Sequence, residues 1–141
     1  MIFSRTAEYA LRAMTFLATQ PQGKLSGARA IAQSEQIPMP FLWKILHTLA
    51  RQRLIRSFKG IHGGYELAQP ASKITLSAVV LATDGNDFGT QCVLGLPRCG
   101  ETNACPLHNT WKEIRARMTD MLEHTTLADL ARVARKRKAK K

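Results

Sequence analysis

The run MPFLWKILHTLARQRLIRSFKGIHGGYEL (Met39–Leu67) carries two periodicities back to back. Leu42, Ile45, Leu46 and Leu49 recur at i, i+3, i+4 and i+7, the spacing of a helix that buries one stripe. Pro40 suits the first helical position, where its missing N–H costs nothing, so the helix is expected over Pro40–Arg51. Two short β-prone runs follow, Leu54–Phe58 and Tyr65–Leu67. They flank a basic, glycine-bearing turn, Lys59-Gly60-Ile61-His62-Gly63-Gly64, and together predict a β-hairpin.

Upstream, Tyr9, Ala10, Ala13, Met14, Phe16 and Leu17 recur at helical steps and predict a helix over Ser4–Thr19, broken by Pro21-Gln22-Gly23. Ser26 reads as the N-cap of a second helix, Ala28–Ser34, and Gln36-Ile37-Pro38-Met39 as a short turn. Helix, helix, turn, helix and hairpin in this order spell a winged helix-turn-helix. Downstream, Ile74–Ala82 predicts a fourth helix, with Thr75 as cap and Asp84-Gly85 as its end. Pro106–His124 predicts the longest helix, and Thr126-Leu127-Ala128-Asp129 resembles a capping box opening a short last one. The expected fold is mainly α with a small β-hairpin: a winged helix-turn-helix domain (1–83), a cysteine-containing loop (84–105), a dimerisation helix with the short last helix (106–131) and a basic tail (132–141).

At 141 residues and 45% apolar composition the chain can bury one core. Its start lacks signal-peptide features, and no apolar run approaches the ~20 residues of a membrane span. A cytoplasmic location with reduced thiols and no membrane partner is therefore expected. The net charge of +11 points to a polyanionic partner. Seven Lys/Arg stand in 132–141, leaving 14 basic against 10 acidic side chains before them. That tail reads as a mobile segment adding non-specific DNA affinity, or simply as a solvated end.

In a helix-turn-helix the second helix of the pair enters the major groove. Candidates for base or phosphate contact at its start are Met39, Pro40, Phe41, Trp43 and Lys44; His47 and Arg51 reach toward phosphates. Trp43 and Phe41 read equally as core or edge aromatics. The wing adds Arg56, Lys59 and His62, with glycines that let backbone approach DNA closely. Such modules use a dimer on two half-sites. Leu107, Trp111, Ile114, Met118 and Met121/Leu122 supply the stripe for a homodimer, opposite a charged face.

Cys92, Cys99, Cys105 and His108 fall within 17 residues of a Gly- and Pro-rich segment. Thiolate sulfur is soft and suits iron–sulfur clusters, zinc or copper(I). Structural zinc sites place cysteines in tighter pairs than these, so the wider spacing fits a cluster better. Helical i, i+3 geometry would set Cys105 and His108 on one face.

The opening Thr6-Ala7-Glu8-Tyr9-Ala10-Leu11-Arg12-Ala13, the wing Lys59–Tyr65, the three cysteines and Thr126-Leu127-Ala128-Asp129-Leu130 together resemble the IscR/NsrR/RirA/CymR family (Rrf-two type) of bacterial winged-helix regulators, over residues 1 to about 131. The resemblance implies a homodimer on double-stranded operator DNA. In cysteine-bearing members it implies an iron–sulfur cluster near the dimer interface. It assigns Cys92, Cys99 and Cys105 as ligands. For the fourth it leaves two positions: His108, as in IscR-like members with a two-iron two-sulfur cluster, or Glu8 from the partner's first helix, as in NsrR-like members with a four-iron four-sulfur cluster. The two-iron form is favoured. The first cysteine gap is one residue longer than the family's usual gap, and Lys59 stands where many members carry arginine. The alternative reading is a thiol-redox or zinc-dependent regulator without a cluster. An enzyme is not expected. There is no nucleophile–base pair and no phosphate-binding glycine loop, and Asp87 and Glu101 stand isolated.

Overall fold

A computed structural model describes residues 3–85, 92–95 and 105–139. Its elements are α1 (Arg5–Thr19), α2 (Ala28–Glu35), α3 (Met39–Arg51), β1 (Ile55–Phe58), β2 (Gly64–Leu67), a 3-10 turn (Ala71–Lys73), α4 (Leu76–Asp84), α5 (His108–His124) and α6 (Leu127–Ala139). The fold is mainly helical with one two-stranded antiparallel hairpin, as the periodicities predict.

The core gathers around α1, whose buried face is Ala7, Ala10, Ala13, Met14, Leu17 and Ala18. Four of these six are alanines, and short side chains let neighbouring helices approach closely. α2, α3, α4, α6 and β2 all pack against α1. Ser4 caps α1 through its hydroxyl, which accepts from the Ala7 N–H at 3.0 Å. The Asp84 carboxylate, at the end of α4, in turn accepts from the Ser4 N–H at 3.1 Å and from the Ser4 hydroxyl. An anion there also complements the positive end of α1.

The turn between α2 and α3 is tight because Gln36 takes a left-handed conformation (φ 54°). The Ile37 N–H then returns to the Ala32 carbonyl at 3.1 Å, and Ile37 itself is buried. α3 buries Leu42, Ile45, Leu46 and Leu49, the stripe read from the sequence. Each such side chain stabilises the fold by roughly 1.5–3 kcal/mol through burial. Arg53 (φ 61°) closes α3 in the same left-handed way, and the Leu54 N–H returns to Leu49 at 3.0 Å.

The hairpin pairs Ile55 with Leu67 and Phe58 with Gly64. A third extended segment joins it: Ser26 and Tyr65 exchange backbone hydrogen bonds of 3.0 and 2.8 Å. Ser26 is therefore buried backbone scaffolding rather than the expected N-cap, and Gly27 occupies the cap of α2 without a side-chain bond. The close approach explains Gly63 and Gly64. A Cβ on Gly63 would fall 2.1 Å from the Phe58 carbonyl oxygen. One on Gly64 (φ +149°) would fall 2.9 Å from that of Ser26.

Thr75 caps α4 as expected, its hydroxyl accepting from Ala78 N–H at 3.2 Å. The segments before α4 and α6 pair as a small antiparallel bridge, with Leu76 N–H to Thr125 O and Leu127 N–H to Ile74 O, both 2.9 Å. Thr126 and Asp129 form the expected capping box. The Asp129 carboxylate accepts from Thr126 N–H at 2.9 Å, and the Thr126 hydroxyl from Asp129 N–H at 3.3 Å. At the end of α5 the Asp120 backbone carbonyl, 2.8 Å from the His124 ring, and then the Asp120 carboxylate hold that imidazole's pKa above its usual value.

The tail departs from expectation. It is helical to Ala139 as part of α6, with Leu127 and Ala131 buried in the core and Arg135 donating to the Ala18 carbonyl at 3.0 Å.

Gly64→Ala should lower stability by about 1–3 kcal/mol, read as a reduced urea midpoint. The Thr126 backbone N–H and then its hydroxyl hold the Asp129 carboxyl below the usual carboxylate range. The stability this brings is complete above the unfolded value of about 3.9 and is lost as pH falls through the lower folded value. Asp129→Asn should therefore be less stable than wild type at pH 6 and lose less on acidification to pH 3 in urea titrations.

Candidate functional site

The outward face of α3 consists of Pro40, Phe41, Trp43, Lys44, His47 and Arg51, all exposed. The two aromatics are not core residues: Phe41 is 55% and Trp43 53% exposed. The four apolar positions of the stripe already fill the inner face. Met39 differs, since it is half-buried and packs against the core.

At the wing tip Lys59 and His62 are exposed and Ile61 is 99% exposed. The turn closes by a hydrogen bond from Gly63 N–H to Gly60 O of 3.0 Å. Arg56 is exposed but engaged on the hairpin, 3.2 Å from the Ala68 carbonyl and 3.7 Å from the Glu66 carboxylate. Residues 36–65, which span the turn, α3 and the wing, hold five Lys/Arg and two His with no acid. The span therefore carries a positive surface suited to phosphate.

α1 extends this surface in a way the sequence reading did not single out. The guanidinium groups of Arg5 and Arg12 lie over the Tyr9 ring at 6.0 and 5.5 Å, and Tyr9 meets Phe41 at 6.3 Å between centroids. The signal was present as Arg5, Tyr9 and Arg12 at steps of four and three, one face of a helix.

At the second candidate site Cys92 is buried, Cys105 half-buried and His108 buried. The Cys92 sulfur accepts from Leu94 N–H at 3.4 Å. Cys105 precedes α5 rather than opening it. The helix begins at His108, whose N–H donates to the Cys105 carbonyl at 3.1 Å, so the two are joined by one turn. Cys99 lies outside the described residues, and among the described residues no three His, Cys, Asp or Glu come together as a metal site. Glu8 is half-buried in the first turn of α1, with Arg5 of its own helix at 3.9 Å. Leu107, just before α5, and Ile114 and Met121 on it are exposed, and Trp111 and Met118 are half-buried. Among the described residues no helix is long and apolar enough to cross a membrane.

A Mycobacterium tuberculosis protein named as an HTH-type transcriptional regulator is 43% identical over 137 residues, covering 93% of this chain and 81% of that protein. The HTH-type transcriptional regulator IscR of Yersinia pestis is 30% identical over 130 residues, covering 92% and 79%. Among solved structures, CymR, the global cysteine regulator of B. subtilis, superposes with a TM-score of 0.78 at 26% identity over 93% of this chain and 96% of that one. IscR of T. potens, at 21% identity, shares the fold with a TM-score of 0.75, covering 93% and 86%. The family model described as "Iron-dependent Transcriptional regulator" matches residues 3–133. The chain belongs to this family, Rrf2, and is a winged-helix DNA-binding transcriptional regulator, not an enzyme.

Proposed function

We propose that the chain is an iron–sulfur-cluster-dependent regulator whose cluster state sets its affinity for operator DNA. The observation that carries this reading is the start of α5. There a buried imidazole, His108, and a half-buried thiol, Cys105, stand one turn apart; separately from them, a second thiol, Cys92, is buried with an N–H donor on its sulfur. This donor set fits a cluster chemically: soft sulfur, one imidazole, and partial shelter from water. Cys92, Cys99, Cys105 and His108 would hold it, with Glu8 of a second copy as the competing fourth ligand. When bound, the cluster supplies a centre sensitive to oxidants, nitric oxide or iron supply. The family's description as iron-dependent agrees with this reading. The same residues, without metal, would form a thiol switch. CymR of Staphylococcus aureus, at 26% identity and a TM-score of 0.74, is known in an oxidized form, and this keeps the thiol switch as the second reading.

The regulator acts as a homodimer in this proposal. The exposed apolar positions Leu107, just before α5, and Ile114 and Met121 on it leave an unburied stripe that a second copy would cover, and two reading heads would then address two half-sites. The α5 stripe and His108 at its start lie on one element. A change at the cluster would therefore reach the interface that sets the spacing of the heads.

Iron and acid-labile sulfide per chain, measured on protein purified without oxygen, should give about two of each for a His108-ligated two-iron centre. Cys92→Ala, Cys99→Ala and Cys105→Ala should each abolish both while sedimentation still reports a dimer. Colourless wild-type protein without sulfide would leave the thiol switch instead. On the wing, Lys59→Ala should weaken binding to all duplexes alike and reduce the slope of log affinity against log salt by about one unit. A change confined to one base position would contradict a phosphate role.

A further inference from the structure

The outward stripe of α3 is unusual in chemistry. Its positions near the helix start are Pro40, Trp43 and Lys44, with Phe41 on the flank, and His47 and Arg51 follow one and two turns on. No Asn, Gln, Asp or Glu stands on it. Bidentate reading of adenine by an amide, or of the cytosine amine by a carboxylate, is therefore unavailable to this helix. What the start of the helix offers is an indole, 53% exposed, on one flank and, on the other, a phenyl ring 6.3 Å from the Tyr9 ring. The major groove has one apolar feature, the 5-methyl group of thymine. The surrounding Lys44, His47, Arg51 and Lys59, on a span of chain with no acid, match the phosphates that flank such a groove and argue against a neutral or basic protein partner.

Building on the operator-binding reading above, we propose that Trp43 is the specificity-determining residue of this reading head and takes thymine methyl groups in the major groove. Trp43 lies one turn beyond Pro40, at the end of the recognition helix that meets base edges. Phe41, on the opposite flank of α3, is braced against Tyr9 and takes no part in this contact. Lys44 is left for guanine or phosphate. The preferred half-site is accordingly one with a thymine at a fixed position, recognised by shape and desolvation rather than by hydrogen bonds.

The test starts by selecting duplexes from a random library with the full chain, both as purified without oxygen and after chelator treatment. Each thymine of the selected half-site is then replaced by deoxyuridine, which removes the methyl and keeps the pairing, and affinity is read by fluorescence anisotropy at fixed salt. One thymine per half-site should respond, with about fourfold weaker binding for one methyl and about fifteenfold for both half-sites together. Trp43→Ala should bind the two duplexes equally, and Trp43→Gln should select adenine at that position. Lys59→Ala should keep the wild-type discrimination. Equal wild-type affinity for thymine and deoxyuridine at every position, discrimination that survives in Trp43→Ala, or a Trp43→Ala chain that loses its dimer would each overturn the proposal. Tight but sequence-indifferent binding would overturn it while leaving DNA binding intact. Failure of both preparations to bind any duplex would remove the operator-binding reading as well.

Discussion

The short side chains on the inner face of α1 are the constraint on which the molecule depends. Ala7, Ala10, Ala13 and Ala18 let α2, α3, α4 and α6 converge on one helix, with Met14 and Leu17 filling the remaining space. A larger residue at any of these positions would force a helix outward, since packed interiors do not absorb an added methylene without strain. Because α1 touches both the recognition helix and the last helix, the reading head and the C-terminal half share a single core. The Asp84 clip onto Ser4 adds a polar tie between the start of α1 and the end of α4.

The parts of this architecture that follow from local periodicity were legible in the chain. The α3 stripe, the hairpin, the Thr75 cap and the Thr126–Asp129 box depend on residues within a few positions of one another, and each formed as read. What escaped depends on distant partners. Ser26 looks like an N-cap by type and place, yet its backbone is taken by Tyr65 in the wing, a pairing that no local pattern announces. The basic run after Leu130 looks like a solvated end by composition. It is nevertheless helical, because Leu127 and Ala131 dock on α1 and carry the following turns with them.

The candidate sites divide in the same way. Exposure on α3 followed from the buried stripe and on the wing from its turn, so the exposed candidates could be named from one helix and one turn. Met39 was the exception, drawn inward at the helix start. The contribution of Arg5 and Arg12 needed the fold, since Tyr9 is brought beside Phe41 only when α1 crosses α3. The cysteine centre was legible as chemistry, three thiols and an imidazole, and less so as geometry. Cys92 and Cys105 lie outside the helices and Cys99 outside the described residues, so spacing alone does not fix their directions. The i, i+3 helical relation read for Cys105 and His108 is in fact a turn leading into α5.

The docking of α6 on α1 also governs when the protein can become itself during synthesis. Arg135 and Ala18, 117 positions apart, meet across that junction, and Leu127 and Ala131 complete the surface around the first helix. A nascent chain therefore emerges with its DNA-reading segments already translated and its central helix still missing a neighbour. At roughly 5–20 residues per second, several seconds separate the appearance of α1 from that of its last partner. Throughout that interval the alanine face lacks its final cover, so ribosome-bound intermediates have reason to engage chaperones.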